Sequence, residues 1–205
     1  MVTVREVKAG IGRVYDILAA NKDLLIRLDA QAGDGDLGVS MEEGFAAVKK
    51  CADDYAEADI GKLLMKASMA LNEASPSTLG TILSVGILAG GRTLRGAEQA
   101  DLAQLAAFFR AGIEAIMERA KSRPGEKTIL DALCPAAEAL ARAAADGKEP
   151  KEGFKMAAEA AEQGMIATIG MRSVHGRAAY YGEESIGKQD GGATVGKLIF
   201  EALAQ

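Results

Sequence analysis

Apolar residues recur three and four positions apart along almost the whole chain, the spacing that lines one face of an α-helix. Leu102, Leu105, Phe109, Ile113, Ile116 and Ala120 form one such stripe. Ile129, Leu133, Ala136, Leu140 and Ala144 form a second, and Phe154, Ala158, Ala161, Met165 and Ile169 a third. Val195, Leu198, Ile199 and Ala202 line a last helix. The same periodicity predicts earlier helices over 3–20, 21–30, 40–53, 61–74 and 78–94. No segment alternates convincingly as a strand, and no repeat of fixed period appears. Counting 3–20 and 21–30 as one broken helix gives eight. Short connections between long helices favour antiparallel neighbours in a bundle. The expectation is an all-α chain forming one domain over residues 1–205.

Four Gly-rich loops interrupt this pattern, at 32–39, 74–80, 123–127 and 170–192. The last is long for a compact domain and carries Gly, Arg, Tyr, Ser and Asp rather than a low-complexity bias. Long loops of that kind tend to be functional.

Composition sharpens the picture. Hydrophobic residues make up 49% of the chain but aromatics only 4%, with no Trp; alanine-rich helices can pack closely. The net charge of −5 and the lack of any Lys/Arg run argue against an extended nucleic-acid footprint. Cys51 and Cys134 lack metal-type spacing and read as reduced, mostly buried thiols. The opening "MVTVREVKAG" has no apolar signal-type core, and no apolar run reaches membrane-spanning length. A cytoplasmic protein without membrane contact is expected.

The chemistry concentrates in "LDAQAGDGDLGVSMEEGF", residues 28–45, where Asp29, Asp34 and Asp36 stand among glycines. Like charges this close repel, so the stretch is either a solvated turn or a seat for something cationic. A phosphate loop is a poor match, because Val39 stands where the lysine belongs and a helix precedes it. A calcium loop starting at Asp34 fails at Gly38, Val39 and Phe45. Zinc is disfavoured by a single histidine and unclustered cysteines. A carboxylate-only set suits a hard cation such as Mg²⁺, shared with substrate phosphates. Ser40, with Glu43 three residues on, reads as the N-cap and capping box of the next helix. That helix would aim free N–H groups at the loop and favour anions there.

Four separated motifs resemble one family, the nucleotide-binding L subunit of dihydroxyacetone kinase. "LDAQAGDGDLGVSMEEGF" is similar to its Leu-Asp-x-x-x-Gly-Asp-Gly-Asp-His-Gly signature, "ASPSTLGT" at 74–81 to its Ala-Ser-Gly loop, "PGEKTILDALCPA" at 124–137 to its Gly-Asp-Lys-Thr-Met-x-Asp segment, and "GRAAYYGEESIGKQDGGA" at 176–193 to its closing Gly-Arg-Ala-x-Tyr-x-Gly stretch. Order and spacing fit over essentially the whole chain. The departures are Leu37 for the motif's histidine, Asn72 and Glu73 for a Gly pair, Pro76 after Ser75, and Asp-Gly-Gly for the closing Asp-Pro-Gly.

The resemblance implies a barrel of eight antiparallel helices holding ADP or ATP and two Mg²⁺ in loops at one end. Carried over residue by residue, Asp29, Asp34 and Asp36 would ligate the metals. Leu37, Gly38, Val39 and Ser40 would line the nucleotide at the helix start, and Ala74 with Ser75 would meet a phosphate. Ile129 matches a position near the adenine. Arg177 would clamp phosphate as the catalytic residue, and Asp190, Gly191 and Gly192 would close the site. His175 receives no role. The resemblance further implies a ketose-binding K subunit as partner and, for a free-standing L subunit, a phosphocarrier M subunit that regenerates ATP from bound ADP. A directly ATP-dependent split kinase, or a nucleotide-Mg²⁺ sensor without catalysis, would share every motif, and a homodimer is left open.

Overall fold

The structure, a computed structural model, describes residues 1–205. Nine α-helices form: α1 (Val4–Ala20), α2 (Lys22–Asp29), α3 (Leu37–Asp54), α4 (Ile60–Ala74), α5 (Thr78–Thr93), α6 (Leu102–Ala120), α7 (Leu130–Ala145), α8 (Pro150–Ala167) and α9 (Gly191–Leu203). Only Asn21 separates α1 from α2. Its backbone N–H and its side-chain amide both bond the carbonyl of Ile17, so the two helices behave as one broken rod.

The packing closes into a ring. α1 packs on α3, and each helix from α3 to α9 packs on the next; α9 returns to α1. Eight helices thus make the barrel, with α2 continuing α1 and lying against α3 and α9. The stripes read from the sequence face inward: Leu102, Ile113, Ile116, Leu133, Ala136, Leu140, Ala161, Met165, Val195, Leu198 and Ala202 are all buried in one core cluster.

In an up-and-down ring, alternate connections share an end. The α2–α3, α4–α5, α6–α7 and α8–α9 connections therefore converge, and these are the four Gly-rich loops. The chain start and the remaining connections lie at the other end, where β1 (Val2–Thr3) pairs antiparallel with β2 (Gln99–Ala100), Val2 opposite Ala100. These two short strands escape an alternation test because they are only two residues long. An apolar cavity of about 440 Å³ opens within the barrel, lined by residues such as Val14, Phe45, Phe109 and Leu203.

Two local features set the site end. Pro135 lies inside α7 and cannot donate the helical bond to the Asp131 carbonyl. Gly164 of α8 sits directly against that freed carbonyl, where a Cβ would overlap it. The small residue lets α8 approach α7 closely. Asp131 in turn accepts from Gly125 N at 2.5 Å and Thr128 N at 2.7 Å, so its carboxylate shapes the α6–α7 loop.

Three sequence expectations need correction. Helix α3 begins at Leu37, not after Ser40; Asp36 is the residue before it and makes no side-chain cap. Ser40 N bonds the Asp36 carbonyl at 2.9 Å, so Ser40 belongs to the first turn and no Ser40–Glu43 capping box forms. Gly38 makes the earlier start possible, since a side chain there would strike the Lys22 carbonyl and Ile26. The 170–192 stretch, read as a loop, carries a 3₁₀ segment at Arg177–Ser185, kinked at Gly182, and follows a 3₁₀ turn at Thr168–Gly170. Both cysteines are free but only half-buried; burial still raises both thiols, that of Cys134 to about 11. No helix is long and apolar enough to cross a membrane.

Candidate functional site

The four converging loops enclose a cleft of about 1090 Å³ lined mostly by polar residues and glycines. Asp29 stands on the last turn of α2. Its carboxylate accepts from Gly35 N at 2.8 Å, and its carbonyl takes the N–H groups of Ala32 and Gly33 at 3.0 and 2.6 Å. Gly33 packs so tightly on this carboxylate that a Cβ would overlap it, and Gly35 has a positive φ of 77°, a region that favours glycine. The Gly-Asp-Gly-Asp order is thus a folding requirement: glycines wrap the chain around Asp29 and bring the next two carboxylates to it. One carboxylate oxygen each of Asp29, Asp34 and Asp36 lies within 4.8 Å of the others.

This crowding has an electrostatic signature. The Asp36 carboxyl is held above its ordinary range, first by burial and then by the charges of Asp34 and Asp29, with Arg177 acting in the opposite sense. Asp36 spends none of its carboxylate on capping α3, so all three groups keep lone pairs for a cation. Three oxygens from carboxylates, with no sulfur or imidazole, fit a hard divalent ion.

Anion-binding features face the same cleft. The first turn of α3 and that of α9 meet there, since a Cβ on Gly191 would sit 2.7 Å from Leu37 Cδ2. The α3 start, which no side chain caps, presents free N–H groups and a positive dipole end, with the α9 start beside it. Arg177 reaches over from the 3₁₀ segment, its Nη1 2.5 Å from Asp34 Oδ2. Lys127 and Lys188 also line the cleft. Asp190 caps α9 by accepting from Ala193 N at 2.7 Å, and its burial pushes its carboxyl up to about 6. Ile129, buried beside Gly192 and Gly196, forms an apolar wall.

Of the residues singled out in the sequence, Asp29, Asp34, Asp36, Leu37, Ile129, Arg177, Asp190, Gly191 and Gly192 all line this cleft. Gly38, Val39 and Ser40 stand just behind, in the first turn of α3. Ala74 and Ser75 do not face it. Ala74 is the last residue of α4, and Ser75 is fully buried between Gly44 and Gly80, its hydroxyl 3.3 Å from that of Ser77. Pro76, Ser77 and Thr78 present that loop to the cleft instead. Sequence reasoning also missed Lys127 and Ser173. The Lys127 ammonium is buried in the cleft wall, and Ser173 Oγ is a buried hydroxyl without a hydrogen-bond partner. Lys127 lies within a motif already singled out, but nothing in its pattern marks it as inward-facing. His175, which received no role, pairs with Glu126 at 2.5 Å on the cleft rim.

A helical barrel with one acidic, arginine-capped cleft at its loop end is the class that fold and site define. The chain belongs to the DAK2 domain family, which it matches over residues 31–205. It is 31% identical over 192 residues to the "PEP-dependent dihydroxyacetone kinase, ADP-binding subunit DhaL" of Escherichia coli K12, covering 94% of this chain and 91% of that one. It is 34% identical over 200 residues to the L-erythrulose kinase of Pectobacterium atrosepticum, covering 97% of this chain and 34% of that protein. Its fold is similar to that in the crystal structure of the dihydroxyacetone kinase from C. freundii in complex with AMP-PNP and Mg²⁺, with a TM-score of 0.75, 22% identity, and coverage of 97% of this chain and 33% of that chain. The chain therefore spans about a third of the two longer kinases and nearly all of the bacterial subunit.

Proposed function

We propose that this chain is the nucleotide-binding phosphotransfer subunit of a dihydroxyacetone-type kinase, a cytoplasmic protein that takes ADP or ATP with two Mg²⁺. The observation that carries this reading is the juxtaposition of three aspartates, Arg177 and two helix N-termini in one cleft. Carboxylates alone would hold a cation, and N-termini with an arginine would hold an anion. Together they suit a metal-bound polyphosphate.

In this reading Asp29, Asp34 and Asp36 hold the ions, whose charge would offset the mutual repulsion that raises the Asp36 carboxyl. Bound Mg²⁺ supplies neutralisation of the phosphate oxygens between which the phosphoryl group moves. The first turns of α3 and α9, with Gly191 and Gly192, fix phosphates through backbone N–H groups. Ile129 gives the base an apolar wall. Arg177 leaves Asp34 for a phosphate oxygen and stabilises the charge redistributed in the transition state. The acceptor ketose is held on a separate K subunit, the partner that the family resemblance implies. Similarity to a PEP-dependent subunit over nearly the full length of both chains favours a phosphocarrier M subunit as donor.

A second reading concerns the substrate. The 34% identity with an L-erythrulose kinase favours a four-carbon ketose, and a directly ATP-dependent split kinase is the alternative to the phosphocarrier. One experiment separates these. The purified chain, with its K subunit, is offered dihydroxyacetone or erythrulose, with either ATP or a phosphocarrier system. Transfer supported by phosphocarrier and ADP supports the first reading, and transfer from ATP to erythrulose supports the second. Nucleotide binding without transfer in any combination leaves a sensor.

A further inference from the structure

We propose that Lys127 is a positioning residue, which clasps both ends of the loop carrying Arg177 and so sets that arginine over the acidic triad; this rests on the function proposed above. Lys127 sits in the left-handed region at φ 60°, which turns its side chain inward from the tight α6–α7 loop. The residue is only 5% exposed. Its ammonium donates to the carbonyl of Met171 at 3.1 Å and to that of Ser185 at 2.6 Å. Those carbonyls mark the entry and exit of the segment that holds Arg177. The same two ends are tied to each other, because Ser173 N donates to Ser185 Oγ at 2.9 Å and Gly187 N to the Ile169 carbonyl at 2.8 Å.

Little else holds the segment down. Its apolar side chains point outward: Tyr180 is 92% exposed, and Val174, Tyr181 and Ile186 are exposed as well. Apolar burial therefore contributes little to its order. The Arg177–Asp34 pair is itself open to solvent, with side chains 61% and 47% exposed, and such pairs are weak. The rim contacts of Val174 and His175 with Glu126 touch the segment near its entry alone. Lys127 is the one barrel side chain that grips both ends. No carboxylate hydrogen-bonds its ammonium; the Asp190 charge nearby favours it, but burial works the other way and is the larger effect. An apolar residue would pack there at lower cost, so the ammonium is explained by what it holds.

Lys127→Met keeps the length and removes the donors, while Lys127→Arg restores them. Trypsin cleavage at Arg172 and Arg177 reads the clasp directly. The wild type should be cut slowly, Lys127→Met much faster, and Lys127→Arg close to wild type. Transfer assayed with the K subunit reads the consequence: Lys127→Met should lower kcat by up to about 10²-fold, the cost of misplacing a reacting-site group, with KM for the ketose little changed. In an Arg177→Ala background the same substitution should cost nothing further. Wild-type-like cleavage in Lys127→Met, or additive losses in the double variant, would overturn the proposal. So would rapid cutting of the wild type itself, a measurement that stands even if Lys127→Met does not fold. A wild type that transfers to no ketose would sink the function proposed above and leave the protease result to decide the clasp.

Discussion

Arg177 and Asp34 are ion-paired across the mouth of the cleft, Nη1 to Oδ2 at 2.5 Å, although they belong to loops at opposite ends of the sequence. The pair shows the Arg177 side chain within reach of the acidic triad. Because both partners are largely exposed, it contributes at most about 1 kcal/mol to stability. Its weight is in function, since a cation bound to the triad and this guanidinium compete for the same carboxylate.

Arg177→Lys should therefore leave the melting temperature nearly unchanged and ADP affinity within several-fold. Turnover with the K subunit should fall by about 10²-fold or more, the range for lost electrostatic stabilisation, because lysine keeps the charge but lacks the planar fork. A lysine variant with full wild-type rate would make Arg177 a bystander.

Asp34→Asn and Asp36→Asn should each weaken Mg²⁺-dependent ADP binding sharply, since a neutral amide offsets no metal charge. Calorimetric titration of ADP with and without Mg²⁺ checks this. Unchanged affinity in both variants would remove the triad from the metal site.

Nucleotide binding should also be visible as stability. Ligand at a hundred times its dissociation constant adds about 2.7 kcal/mol. Melting of ADP- and Mg²⁺-loaded protein should drop on adding EDTA, and protease should then cut between residues 176 and 192 more readily. Equal melting with and without chelator, in protein shown to hold the ligand, would contradict the closing role of that loop.

The Asp190 carboxyl, pushed up to about 6 by burial, predicts a pH effect with a definite sign. An aspartate in the unfolded chain titrates near about 3.9. The folded state therefore binds the proton more tightly, and its advantage is complete below about pH 4 and lost as pH rises through about 6. Asp190→Asn keeps a capping side chain but cannot titrate. The stability of the wild type relative to this variant should fall between pH 4 and 6.5, by on the order of 2 kcal/mol. Urea unfolding of both proteins across that range measures it, and a flat difference would show Asp190 titrating normally.

Gly164→Ala tests the α7–α8 contact. The added methyl would meet the Asp131 carbonyl and lie 2.9 Å from Pro135 Cγ. Overpacking of this kind costs about 1–3 kcal/mol, readable as a lower urea midpoint. The shift should reach the cleft, because Asp131 also holds the loop of Lys127 and Ile129 in place. A wild-type midpoint would mean that the helices part without cost.

The helices, their inward stripes and the eight-fold count were legible in the sequence because a 3.6-residue period is a local property. Asp29, Asp34 and Asp36 were legible for the same reason, since one short glycine-rich turn brings them together. The start of α3 was not, because Ser40 is a good cap in isolation and only contact between Gly38 and Lys22 of α2 moves the helix start to Leu37. Ser75 was misplaced because its burial depends on Gly44 and Gly80, residues of two other helices. Lys127 stood inside a matched motif, but its inward clasp was not legible, as its two partners are carbonyls, which every residue carries. The sequence alone determined which segments coil and which loop carries the carboxylates. Tertiary structure decided that ring closure puts alternate loops at one end, bringing Arg177 to Asp34 and Lys127 to the Arg177 loop, because those contacts join residues that no local periodicity relates.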